Sequence, residues 1–167
     1  MKRHSRALLV LLFSISFLFV AVTDATSEEF AALKGLKSIK AVFDVRAGNP
    51  KGAKLYLKLI HETFKDKNIR AVTEEPGFVV VFIGPSVKLV SKNREGFSVE
   101  ENKMLDEIAS TVSAMSKDGI RFEICMFAAK YFQVDAGSIL PEIKQVENGW
   151  ISLIGYEALG YSLVPVY

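Results

Sequence analysis

The chain has a single cysteine, Cys125, and the residues around it make it the first place to look for chemistry. Arg121 to Ile124 alternate polar and apolar as a strand does, and Met126 to Phe132 carry small and aromatic residues at helical spacing. The sulfur therefore falls at a strand-to-helix junction. The first N–H groups of a helix are unpaired and carry partial positive charge, which favours thiolate over thiol and strengthens a nucleophile. The same position suits a small apolar filler equally well, because cysteine is among the most buried residue types. On these residues alone both roles stay open.

Other chemistries find little material. The turn after the first expected strand, Arg46-Ala47-Gly48-Asn49-Pro50, has one glycine and no lysine-serine pair, so no phosphate-cradling loop is expected and no nucleotide cofactor. His61 lies on the flank of a helix. With His4 lost in a leader it has no second histidine to pair with, so neither a metal site nor a histidine-assisted cysteine hydrolase is expected.

The elements that must position Cys125 follow from periodicity and punctuation. Lys40 to Val45 reads as a strand, and Asn49-Pro50 supplies an N-cap followed by proline at the first helical position. A helix to about Phe64 follows, with Ala53, Tyr56, Leu57, Ile60 and Phe64 as its inner stripe. Phe78 to Ile83 is a continuous apolar run, as in a strand buried on both faces, stopped by Gly84-Pro85. Ser98 and Glu101 form a capping box before a second long helix that Gly119 ends. The strand leading to Cys125 comes next. Ile143 to Val146, a helix over 150–159 and Tyr161 to Val166 complete the chain.

Alternating strands and helices predict a single three-layer α/β domain, with a five-stranded, mainly parallel sheet and helices on both faces. In such sheets ligands gather beyond the carboxyl ends of the strands, where strand order reverses. With the common order 2-1-3-4-5, that reversal lies between the first and third strands. Cys125 then faces Arg46 from the first strand, with Gly84 and Pro85 of the second one place further away; Lys130, on the helix after the cysteine, joins the candidate pocket.

The N-terminus has a different character. Lys2, Arg3 and Arg6 precede an apolar run from Ala7 to Val22, and Thr23-Asp24-Ala25 places small residues where a signal peptidase reads. Residues 1–25 read as a signal peptide cleaved after Ala25, an uncleaved membrane anchor being the alternative. Residues 26–38 read as a lead-in, and 39–167 as the folded domain. The leader takes Lys2, Arg3, Arg6 and Asp24 with it, so the 21 basic and 19 acidic residues of the whole chain fall to equal numbers. A neutral domain without a basic stripe implies neither nucleic acid nor, after cleavage, membrane as partner. One cysteine in an oxidising, periplasmic or extracellular compartment has no intramolecular partner.

Three stretches, FVVVFIGPSVKLV from Phe78, DGIRFEICMFAAKYFQV from Asp118 and ENGWISLIGYEALGYSLVPVY from Glu147, resemble the DsrE/DsrF/TusD-like sulfur-relay family, and the leader points to a secreted DsrE-like branch. The similarity runs from Lys40 to Tyr167. It implies a subunit that assembles as a homotrimer or homohexamer, and a cysteine that works as a persulfide-type sulfurtransferase between donor and acceptor proteins. Cys125 is the matching position. The expectation is thus a sulfur carrier holding sulfane sulfur on Cys125, and its alternative is a non-catalytic oligomeric DsrE-fold binding protein with Cys125 buried and unreactive.

Overall fold

A computed structural model describes residues 30–167; the expected signal peptide lies outside the described residues. The lead-in contributes one 3₁₀ turn, Ala31–Leu33. Five strands follow, β1 Lys40–Val45, β2 Gly77–Phe82, β3 Arg121–Cys125, β4 Ile143–Val146 and β5 Ser162–Val166, all pairing in parallel. Between them run α1 Pro50–Lys65, α2 Lys67–Val72, α3 Val99–Lys117, α4 Met126–Tyr131 and α5 Gly149–Ala158.

The helix boundaries have local chemical causes. Asn49 Oδ1 accepts from the Gly52 amide at 2.7 Å and Pro50 opens α1 without an amide to leave unpaired. Ser98 and Glu101 form the reciprocal capping box of α3. Gly119, at φ +99°, takes the left-handed turn that ends α3 and starts β3. The inner stripe of α1 is the expected one, with Ala53, Leu57, Ile60 and Phe64 buried. His61 Nε2 lies 2.6 Å from Asp118 Oδ2 and ties α1 to the end of α3. Lys65 and then His61 hold the Asp118 carboxyl below its ordinary range.

The sheet is the five-stranded parallel sheet expected, but its order is β4-β3-β2-β1-β5 rather than 2-1-3-4-5. The cause lies in β2. Phe78 to Phe82 are each at most 2% exposed, a degree of burial that only a central strand reaches, whereas the expected order left β2 at an edge. The edges are instead β4, four residues long, and β5, which carries Pro165; short or proline-bearing strands suit an edge.

This order also decides the layers. The steps β1 to β2 and β2 to β3 move one way across the sheet, and crossovers of one hand place their helices on the same face. There α1 packs against α3, over an aromatic cluster in which the Phe78 ring lies 5.1 Å from Phe43 and 5.3 Å from Phe64. The step β4 to β5 returns across the sheet, so α5 covers the other face, touching β1, β2, β3 and β5. Only Gly149 and Leu153 of α5 are buried.

Candidate functional site

The carboxyl ends of β1, β2 and β3 open into a cavity of about 410 Å³. Because β2 lies between β1 and β3, Gly84 stands between Arg46 and Cys125 instead of one place beyond them. These three line the cavity together. Pro85 and Lys130 do not. Pro85 packs on Gly48, where an added Cβ would lie 2.9 Å from the proline ring, and Lys130 is exposed on α4. Sequence reasoning missed the rest of the wall, formed by Ile83, Phe127, Ala128, Tyr131, Phe132 and Trp150 with Asn148 at the start of α5. The Asn148-Gly149 pair marked that helix start, but nothing local to it said that the start would close over β3.

Two larger clefts lie elsewhere. One, about 510 Å³, separates the lead-in from α1 and α2; the other, about 520 Å³, lies between α1 and the β5 edge. Neither opens at the carboxyl ends of the central strands β1, β2 and β3, and neither contains Cys125.

Cys125 is where the sequence places it, at the end of β3, yet only 3% of its surface is exposed. Gly149, in the first turn of α5, lies so close that an added Cβ would sit 2.9 Å from the cysteine Cβ and from Ile83 Cγ1. The helix after the cysteine is also weak as a source of charge. It has six residues, and the amide of Phe127 in its first turn donates to the Glu147 carbonyl at 3.0 Å. Among the described residues no second cysteine lies near, and no three His, Cys, Asp or Glu side chains gather as a metal-binding group. The expected persulfide carrier is therefore corrected: Cys125 is buried, packed beneath the first turn of α5, with neither a partner cysteine nor a metal-binding group among the described residues, and it is a packed wall residue.

The charged group of the cavity is Arg46. Its backbone amide donates to the Val166 carbonyl at 2.8 Å, and its Nε donates to both Asp44 oxygens, at 3.0 and 2.9 Å. Asp44 is 4% exposed, and a buried carboxylate needs such a partner. Further along the same sheet face, the Tyr156 hydroxyl donates to Glu123 Oε1 at 2.9 Å, while Glu123 Oε2 is buried without a partner among the described residues. Burial first, and then the hydrogen bond to Glu123, push the Tyr156 phenol up to about 12.

The comparisons bear on the fold. No family model matches the chain. A structure of a protein of unknown function, MTH1491 from Methanobacterium thermoautotrophicum, superposes with a TM-score of 0.58 at 16% identity, covering 77% of this chain and 99% of that one. The ychN protein of E. coli superposes at 0.53 with 11% identity, covering 77% of this chain and all of the other. The fold is DsrE/DsrF-like. An uncharacterized protein of Aquifex aeolicus (strain VF5) is 24% identical over 128 residues, which are 76% of this chain. The chain spans 56% of that relative's length. At these identities the DsrE/DsrF-like likeness extends to architecture and no further.

Proposed function

We propose that this chain is a non-catalytic, oligomeric binding protein on a DsrE-like fold, exported by its leader, whose cavity at the strand ends takes a small molecule. The observation that carries this reading is the cavity itself: concave, at the carboxyl ends of three central strands, and walled by Ile83, Phe127, Ala128, Phe132 and Trp150. Such sites are mostly apolar with a few placed polar groups, and open α/β sheets bind ligands at this end. Cys125 serves as a small wall residue that α5 closes over. Export rests on the basic start, the apolar run and Ala25; intact-mass analysis of secreted protein should give a chain beginning at Thr26.

Thiol reactivity tests the central claim. A maleimide carried on a polyethylene glycol chain, too bulky for the cavity, should leave Cys125 of the folded protein unlabelled at neutral pH and modify it fully in guanidinium chloride. Cyclohexanol should shift the emission of Trp150, the one tryptophan of the chain, saturably and alike in wild type and Cys125→Ala. Rapid labelling of the folded protein, or loss of the shift in Cys125→Ala, would remove the reading.

A further inference from the structure

We infer that the ligand of this cavity is a small organic monocarboxylate with an apolar body, held by the outer edge of the Arg46 guanidinium. The inference rests on the binding reading above and adds the chemical class of the ligand.

Arg46 presents a pinned fork. Nε is committed to both oxygens of Asp44, and among the described residues Nη1 and Nη2 donate to no protein group. The Arg46 side chain is 34% exposed while that of Asp44 is 6% exposed, so the ion pair has a covered carboxylate side and an open guanidinium side, and Arg46 lines the cavity. A guanidinium presents its donors in a plane that matches a carboxylate two bonds at a time. Its side-chain entropy is already spent on Asp44, so binding has little more to lose.

The second polar group of the wall has the same sense. Asn148 Oδ1 accepts the Trp150 amide at 3.0 Å as the cap of α5, which fixes the amide orientation and leaves Nδ2, a donor, as the free end. Tyr131 adds a hydroxyl, which can donate as well as accept, and among the described residues no carboxylate lines the cavity. A ligand that satisfies Arg46 and Asn148 must bring acceptors. It also brings at most one charge, since a single guanidinium whose charge Asp44 already balances offers its free Nη donors but little to a dianion. The remaining wall, aromatic and aliphatic, favours an apolar body.

Cyclohexylacetate and its neutral amide, cyclohexylacetamide, separate the two claims, with Trp150 emission as the readout because Trp150 lines the cavity. The acid should bind about tenfold or more tightly than the amide, the scale of a charge-assisted bidentate pair. Asp44→Asn combined with Arg46→Gln removes both charges together, so that no buried carboxylate is stranded, and should abolish the preference. Equal binding of acid and amide to the wild type, or a preference that survives the double variant, overturns the monocarboxylate while leaving the cavity reading in place. If neither compound binds, the monocarboxylate falls, and the cavity reading falls with it only where cyclohexanol also fails to shift Trp150 emission. The wild-type comparison decides the matter even if the double variant does not fold.

Discussion

At the residue scale, Cys125 separates what a sequence can say about a side chain from what it cannot. Its place at the end of β3 follows from alternation before it and helical spacing after it, both local. Its burial is set by Gly149, distant in the chain and legible only as a helix start. The glycine is required there by close approach, since α5 reaches the strand ends at a distance that excludes a methyl group. Gly149→Ala should therefore cost about 1–3 kcal/mol through overpacking against Cys125 and Ile83. Guanidinium unfolding should show the midpoint falling with the slope unchanged, and an unchanged midpoint would mean that the contact yields freely. Combining Gly149→Ala with Cys125→Ala should recover little, because the cysteine Cβ that meets the added methyl is still present; Cys125→Gly should recover more.

At the element scale, strands, caps and most helix ends were legible, and the order of the strands was not. Five parallel strands of similar apolar character fit several orders, and the one decisive signal, the unbroken run from Phe78 to Phe82, speaks of an interior strand only when weighed against its rivals for the edge. The 3₁₀ stretch Gly84–Val90 escaped notice for a related reason: Ser86 Oγ donates to the Val45 carbonyl at 2.7 Å, a bond between two strand ends that no local pattern encodes. The same non-local logic joins α5 to β3 through Tyr156 and Glu123. Burial and the hydrogen bond to Glu123 push the Tyr156 phenol up from its ordinary 10.0 to about 12, so the folded state holds this proton more tightly than the unfolded chain. Its contribution to stability is complete below pH 10 and is lost as pH rises through 12. Wild type should lose stability over that window faster than Tyr156→Phe. At neutral pH the variant should be about 1–3 kcal/mol less stable, because Glu123 then has neither oxygen bonded within the described residues. Parallel pH profiles for the two proteins would break the assignment.

At the scale of the whole molecule, α5 is an incomplete layer. Gly149 and Leu153 face the sheet, with Tyr156 half-buried beside them, while Trp150, Ile151, Ile154 and Leu159 are each 60% or more exposed. A helix that is apolar all round belongs in an interior, and one inward stripe uses less than half of this one. Phe127 and Tyr131 of α4 and Tyr167 beyond β5 are also exposed large apolar residues. Contiguous apolar surface of this kind marks interaction sites on soluble proteins, and a stable interface needs about 800 Å² from each partner. We therefore predict a homo-oligomer, a trimer or hexamer as the family resemblance implies, with the outer stripe of α5 in its interface. Light scattering of dilute wild-type protein should give a multiple of the subunit mass. Ile151→Glu with Ile154→Glu should release monomers that keep their far-ultraviolet circular dichroism, since both side chains point away from the subunit core. The cavity links this scale to the others: Trp150 belongs both to its wall and to the exposed stripe, so subunit association should alter ligand affinity. A wild-type monomer in dilute solution would remove the interface, and an oligomer indifferent to both glutamates would move it to another face.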